Sequence, residues 1–121
     1  MKRKILIVED NMSLSQMQKD WFSQAGYDAM TAMSEPIAHA LIRKTRFDLI
    51  LSDVRLPEGD GISLLEWLRK EKNDTPFIIT TEYVSVPDVV YTIKLGAMDY
   101  LPKPVHREHL LELAEDVFHP V

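Results

Sequence analysis

Four short apolar runs, each followed by polar residues, constrain the fold of this chain more than any other feature. The runs cover residues 5–8, 49–52, 77–80 and 100–102. The second run is apolar almost throughout rather than alternating, which is typical of a parallel strand covered on both faces. A weaker run at residues 27–32 predicts one further strand. The chain is therefore expected to contain five buried strands.

Segments with helical spacing of apolar residues lie between these runs. Gly26 and Gly96 stand where helix C-terminal caps belong, Ser34 stands at a helix start, residues 57–61 form a loop, and the third helix is predicted to end near Asn73. The apolar positions that mark the five helices are Leu14, Met17, Trp21 and Phe22; Ile37, Ala40 and Leu41; Leu64, Leu65 and Leu68; Val89, Val90 and Ile93; and Leu110, Leu113, Ala114 and Val117. Those of the second and third helices are expected to face inward, whereas those of the fourth fit either the core or a dimer face.

This alternation of strands and helices predicts an α/β fold. Five β-α units of this length form a parallel sheet with helices on both faces, and right-handed crossovers leave few topologies. We expect a flavodoxin-like (βα)5 doubly wound parallel sheet with strand order 2-1-3-4-5. Residues 1–121 are expected to form one domain.

The residues that follow the strands predict a site at one edge of this sheet. Open α/β sheets bind ligands outside the carboxyl ends of their strands. Glu9 and Asp10 follow the first strand, Asp53 the third, Thr81 the fourth and Lys103 the fifth. Three carboxylates around one point suit Mg²⁺, a small hard cation that prefers oxygen ligands. A lysine beside them indicates that an anion also visits, and this combination favours phosphoryl chemistry.

Composition excludes several classes of protein. The 121 residues include no Cys, so disulfides and thiolate metal sites are excluded. The net charge of −5 argues against direct binding of nucleic acid by this chain. No apolar stretch approaches the roughly 20 residues of a membrane span, and the apolar run after Lys2-Arg3-Lys4 is too short for a signal peptide. A cytoplasmic location is the resulting prediction.

With these residues in register, nearly the whole chain resembles the receiver domain of two-component response regulators. The resemblance rests on Glu9-Asp10, Asp53, Thr81 and Lys103-Pro104, whose intervals are similar to those of the family. The flanking segments 53–57 (DVRLP) and 96–104 (GAMDYLPKP) agree with it. The second segment is most like the receivers of enhancer-binding transcription activators of the nitrogen-regulator type.

The resemblance implies a role for each residue of the site. Asp53 would be the phosphoacceptor that attacks a phosphohistidine and forms an acyl phosphate. Mg²⁺ would be held by Asp10, by Asp53 and by the main-chain carbonyl of Arg55, with Glu9 acting through water. Lys103 would bind a phosphoryl oxygen as a point charge.

The family also implies a switch and partners. Thr81 would donate its hydroxyl to the phosphoryl group, and Tyr100 would turn inward into the space that Thr81 leaves. This movement would change the surface of the fourth helix and fifth strand. The implied partners are a sensor histidine kinase or phosphotransfer protein, an output domain in a longer protein, and a second copy bound through the fourth helix, fifth strand and fifth helix. A receiver phosphorylates and dephosphorylates itself and is not a turnover enzyme on a free substrate.

Glu82 departs from the family pattern, in which the residue after the threonine is usually Ala or Gly. The main-chain N–H at this position approaches the phosphoryl group, so a carboxylate here is expected to alter the rate and lifetime of phosphorylation. Arg55 and Tyr83 stand at positions that tune this lifetime in the family. Because both are bulky, we expect partial shielding from water and slow autodephosphorylation; an unchanged lifetime in an Arg55→Ala, Tyr83→Ala variant would contradict this expectation.

Two other function classes fit the sequence less well, and one alternative stays open. A haloacid-type phosphatase needs a second Asp two residues after the first, where this chain has Arg55. A nucleotide or flavin binder needs a phosphate-cradling loop, and the Gly residues form no such motif. The open alternative is a pseudo-receiver, a docking module of the same fold that is not phosphorylated because of Glu82.

Overall fold

The fold is a parallel sheet covered by helices on both faces. In a computed structural model, residues 2–120 are described. Its strands are β1 (Lys4–Val8), β2 (Asp28–Ala32), β3 (Leu49–Asp53), β4 (Arg55–Leu56), β5 (Gly59–Asp60), β6 (Phe77–Thr81) and β7 (Asp99–Pro102). Its helices are α1 (Met12–Gln24), α2 (Glu35–Lys44), α3 (Gly61–Lys70), α4 (Val86–Lys94) and α5 (Arg107–Phe118).

The sheet confirms the predicted flavodoxin-like topology. Its order is β2-β1-β3-β6-β7, with every neighbouring pair parallel. Since β6 and β7 are the fourth and fifth strands of this sheet, the order is the predicted 2-1-3-4-5. The two-residue strands β4 and β5 form a separate antiparallel hairpin. The segment predicted as a loop at residues 57–61 therefore contains the hairpin tip at 57–58, strand β5 and the first residue of α3.

Two hydrophobic cores lie on opposite faces of the sheet, because successive strand residues point to opposite sides. One core contains Leu6, Ile50 and Phe77 and packs against α2, α3 and Val89 of α4. The other core contains Leu101 of β7 and packs against α1 and α5. Every residue of β3 and β6 is buried, which is why these two strands read as continuous apolar runs.

Local sequence explains where the helices begin and end. The N-cap side chains Asn11, Ser34, Asp60 and Ser85 each accept a hydrogen bond from the main chain of the first turn of α1, α2, α3 and α4. Gly26 and Gly96, just beyond α1 and α4, have φ of 95° and 86°. This left-handed conformation is the one that glycine adopts most easily, as the C-terminal cap prediction requires.

The inward face predicted for α2 at Ile37, Ala40 and Leu41 is wrong at its first two positions. In α2, Ile37 and Ala40 are exposed and Ala38 is buried, while in α1 Met17 is exposed and the polar Ser15 and Gln18 are buried. Helix α3 ends at Lys70 rather than near Asn73. In α4, Val90 and Ile93 are exposed. None of the helices within residues 2–120 is long and apolar enough to cross a membrane.

Candidate functional site

Three carboxylates meet at the carboxyl edge of the sheet. Glu9 and Asp10 directly follow β1, and Asp53 is the last residue of the neighbouring strand β3. One carboxylate oxygen from each lies within 4.8 Å of the others. Glu9 and Asp53 are buried, with 2% and 8% of their surface exposed, whereas Asp10 is open to solvent. The structure thus brings together the three acids that the sequence predicted.

Lys103 joins two of these acids. It follows β7, and its Nζ donates hydrogen bonds to Oε1 of Glu9 at 2.8 Å and to Oδ2 of Asp53 at 2.9 Å. The peptide bond from Lys103 to Pro104 is cis. With all three carboxylates ionised, the lysine leaves a net charge of −2 in the site. A divalent cation would match this charge.

Burial and pairing shift the ionisation of two groups. Burial raises the pKa of Glu9, and the nearby charge of Asp53 raises it further, against hydrogen bonds from Lys103 and from the main-chain N–H of Asn11 that lower it. Burial alone would lower the pKa of Lys103, but its hydrogen bonds to Glu9 and Asp53 raise it overall. Lys103 therefore stays charged at neutral pH.

Thr81 ends β6 beside this site. Its hydroxyl accepts a hydrogen bond from the main-chain N–H of Tyr83 and donates one to the carbonyl of Tyr83, both at 3.1 Å. Tyr100 lies on the adjacent strand β7. Its ring already faces inward, only 8% exposed, and its buried hydroxyl has no hydrogen-bond partner among residues 2–120. Burial raises the pKa of this phenol. The movement of Tyr100 on phosphorylation stays a prediction.

An open cleft of about 490 Å³ leads to the acids. Asp10 and Asp53 line it together with Arg55, Leu56, Pro57 and Glu82. Glu82 is exposed and is one of the residues that line this cleft. The guanidinium of Arg55 lies over the ring of Tyr83, 5.0 Å from its centroid, and both side chains are exposed. The pair that was expected to shield the site is therefore in mutual contact.

Two residues near the site escaped the sequence analysis. Gly61 begins α3 where the chain returns against Asp53, and a Cβ at this position would come within 2.2 Å of the Asp53 carbonyl oxygen. Its place in a predicted loop was the only sequence signal. Glu35 was interpreted only as a helix start, yet its carboxylate is buried and contacts the hairpin. Nothing in the sequence links these two distant segments.

The donor set of this site fits a magnesium ion. Carboxylate and carbonyl oxygens are its usual protein ligands, together with retained water. Three carboxylates within reach of one another provide such oxygens, and the exposed Asp10 and the open cleft leave room for water. The acidic trio could therefore hold a divalent metal.

Comparison with known proteins agrees with this geometry. The family described as "Response regulator receiver domain" matches residues 5–115. Over 93% of its length the chain is 32% identical to the "Response regulator protein PilR" of Pseudomonas aeruginosa, and over 94% it is 37% identical to the "Transcriptional regulatory protein ZraR" of Salmonella typhimurium. These matches cover 25% and 26% of the two relatives, so the chain spans about a quarter of their length.

A solved structure shows the same architecture. The CheY-like receiver domain protein of Methanospirillum hungatei superposes with a TM-score of 0.91 at 31% identity, covering 97% of this chain and 94% of that one. The resemblance of the sequence to receivers, including those of transcription regulators, is thereby confirmed. This chain belongs to the response regulator receiver domain family.

Proposed function

We propose that a sensor histidine kinase or a phosphotransfer protein phosphorylates this domain on Asp53. The observation that carries the proposal is the contact of Lys103 with both Glu9 and Asp53, because Asp53 also lines an open acidic cleft. A lysine that pairs with the acceptor carboxylate in the resting state is placed to bind a phosphoryl oxygen after transfer. The proposed site comprises Asp53, Thr81 and Lys103, with Glu9, Asp10, Asp53 and the Arg55 carbonyl holding Mg²⁺.

The transfer makes one bond and breaks one. An Asp53 carboxylate oxygen forms a bond to phosphorus while the phosphorus–nitrogen bond of the phosphohistidine breaks, and its electron pair returns to the imidazole. Bound Mg²⁺ supplies positive charge that offsets the repulsion between the acids and the phosphoryl oxygens. Lys103 orients Asp53 before transfer and then binds one phosphoryl oxygen. The Thr81 hydroxyl gives up its hydrogen bonds with Tyr83 and donates one to another phosphoryl oxygen.

The switch acts on a surface for other proteins. Moving a two-state equilibrium from mostly off to mostly on takes about 5.5 kcal/mol, and a few charge-assisted hydrogen bonds of about 1.5–3 kcal/mol each can supply it. Beyond Thr81, the loop and α4 expose a set of large apolar side chains, namely Tyr83, Val84, Val86, Val90, Tyr91 and Ile93. Such a concentration on one element supports a protein-binding role for it. We propose that this face, with β7 and α5, contacts an output domain or a second copy.

The remaining features of the proposal follow from the family and the charge of the chain. Residues 1–121 act as one receiver domain in the cytoplasm, and their output regulates transcription, as the name of the ZraR relative indicates for that protein. The domain turns over no free substrate. With a net charge of −5 it makes no direct contact with nucleic acid.

The test is to incubate the domain with Mg²⁺ and acetyl phosphate and to weigh the intact protein. A gain of one phosphoryl group that is lost in Asp53→Ala, and lost without Mg²⁺, is the expected result. The pseudo-receiver is the second candidate, favoured by one observation: Glu82 lines the same cleft as Asp53. No gain in mass, together with no binding of beryllofluoride, would support the pseudo-receiver and refute the proposal.

A further inference from the structure

Glu35 has a buried carboxylate that no step of the proposed transfer uses. It lies in the first turn of α2, yet only 8% of the residue is exposed. Burying an ionised carboxylate is unfavourable unless hydrogen bonds compensate for the lost water. The contacts of Glu35 therefore indicate what it stabilises.

The carboxylate of Glu35 contacts the β4–β5 hairpin. Its Oε1 accepts a hydrogen bond from the main-chain N–H of Asp60 at 3.0 Å. Gly59 packs so closely that a Cβ there would lie 2.3 Å from the same oxygen. The missing side chain at Gly59 thus makes room for the carboxylate. The side chain of Asp60 is occupied elsewhere, because it accepts a hydrogen bond from Ser63 N at the start of α3.

The other side of Glu35 is fixed by a stack of flat groups. Its Oε2 lies 2.9 Å from Nε2 of His39, one helical turn along α2, although the two groups are not aligned as a hydrogen bond. The His39 ring stacks on Trp67 of α3, with centroids 4.1 Å apart and planes 17° apart. The guanidinium of Arg43 lies over the Trp67 ring, 5.4 Å from its centroid. The Glu35 carboxylate therefore lies between the hairpin and an imidazole that is itself packed on Trp67.

The hairpin that Glu35 holds forms one wall of the phosphoacceptor cleft. Its first strand carries Arg55 and Leu56, which line the cleft with Asp53. Arg55 pairs with Asp60 and Leu56 pairs with Gly59 across the hairpin. Glu35 thus contacts Asp60 and Gly59, the residues that pair with Arg55 and Leu56 of the cleft wall. A shift at Asp60 would move the main chain of Arg55.

We propose that Glu35 is a positioning residue of the metal site: through Asp60 and Gly59 it sets the place of the hairpin main chain that faces Asp53. This inference rests on the proposed function, because it takes the Arg55 carbonyl as a metal ligand. It predicts that a side chain on α2, outside the acidic trio, controls Mg²⁺ affinity.

The experiment compares Glu35→Ala, Glu35→Gln and the wild type in two measurements. Titration calorimetry with MgCl₂ gives the metal affinity, and NMR hydrogen exchange gives the protection of the Asp60 amide. We expect Glu35→Ala to weaken Mg²⁺ binding about tenfold, the low end of what loss of an outer partner costs, and to speed exchange at Asp60. Glu35→Gln keeps an oxygen acceptor and should restore both values. Glu108→Ala, which removes an exposed first-turn acid from α5, is the matched control.

A second comparison tests the contact with Gly59 itself. Gly59→Ala places a methyl group against the Glu35 carboxylate, and its φ of 139° adds strain in any background. In Glu35→Ala the oxygen at 2.3 Å is gone and only the Cβ of residue 35, at 2.8 Å, remains in the way, so Gly59→Ala should weaken Mg²⁺ binding less there than in the wild type. Fully independent effects of the two substitutions would overturn the proposed contact.

The outcomes separate this inference from the proposed function. Wild-type affinity in Glu35→Ala, or a loss that Glu35→Gln does not restore, would overturn the positioning role even if Asp53 is phosphorylated normally. A wild type that binds Mg²⁺ but gains no phosphoryl group would refute the proposed function, while the predicted losses in Glu35→Ala would still support the inference. A wild type that binds no Mg²⁺ would overturn both.

Discussion

Lys103→Met removes the positive charge from the acidic site and keeps most of the aliphatic chain. In the wild type, the Nζ of Lys103 donates one hydrogen bond to Glu9 and one to Asp53. Only 12% of the Lys103 side chain, 3% of the Glu9 side chain and 10% of the Asp53 side chain is exposed. Hydrogen bonds to charged groups contribute about 1.5–3 kcal/mol each. Removing one partner of a buried ion pair costs about 3–5 kcal/mol because the other charge is left uncompensated.

We therefore expect Lys103→Met to lower the free energy of unfolding by about 3–5 kcal/mol at pH 7 without divalent cations. Glu9, whose pKa is already raised by burial, can take up a proton in the variant and so limit the loss. The stability that the Lys103 ion pairs contribute is fully present at pH 7. Because the folded-state pKa of Lys103 is raised, this stability is lost only as pH rises beyond the ordinary value of 10.5. The measurement is urea unfolding followed by far-ultraviolet circular dichroism.

Added Mg²⁺ should narrow the gap between the two proteins. With Glu9 ionised, the variant site carries one more net negative charge, so it should bind the cation more tightly. A ligand at 100 times its Kd stabilises by about 2.7 kcal/mol. Lys2→Met, which removes an exposed lysine before the amino end of β1, whereas the site follows its carboxyl end, controls for net charge. A loss no larger than that of Lys2→Met, or a gap that Mg²⁺ leaves unchanged, would refute the argued role of Lys103.

Three further predictions address single groups of the site. Burial raises the folded-state pKa of Glu9 above 4.5, so the native state keeps this proton to higher pH than the unfolded state does. The wild type therefore loses stability as pH rises from 4.5 through the folded-state pKa. Glu9→Gln should be more stable than the wild type at pH 7, and its stability, measured by thermal unfolding, should change less with pH. Glu82→Ala removes a carboxylate from the cleft, so phosphorylation by acetyl phosphate should be several-fold faster, most clearly at low salt where repulsion is least screened; an equal rate at low salt would show that Glu82 points away from the phosphoryl path. Tyr100→Phe removes a buried hydroxyl that has no hydrogen-bond partner within residues 2–120, and should stabilise the unphosphorylated domain by about 1 kcal/mol. Tyr27→Phe is the control: it loses a hydrogen bond to Glu115 and should not stabilise the domain.

The sequence predicted the sheet and its acidic edge because both depend on local patterns. A strand buried on both faces must be apolar along its length, so β3 and β6 are visible as runs. Their ends are visible too, since the polar pairs Ser52-Asp53 and Thr80-Thr81 mark the edge. Asp53 and Thr81 could be placed from this boundary alone, and the parallel order then brings them together.

The helix faces could not be predicted in the same way, because docking rather than hydrophobicity sets them. In α2, the buried positions include the charged Glu35, while the apolar Ile37 is 48% exposed. Glu35 is buried because Gly59 leaves a space for it and Asp60 offers an N–H. In α1, Gln18 is buried on the same helix that exposes Met17. A rule that places apolar residues inside assigns these positions to the wrong face.

The position of Lys103 reconciles two demands on the site. Three acids that can bind a cation repel one another in the resting state, and the lysine offsets this repulsion by holding Glu9 and Asp53 together. Transfer of a phosphoryl group to Asp53 requires the same amine to exchange a carboxylate for a phosphoryl oxygen. A stronger resting ion pair would stabilise the fold but oppose this exchange, and a weaker one would leave Glu9 buried without a partner. On this proposal Lys103 keeps its contact with Glu9 through the transfer and releases its contact with Asp53.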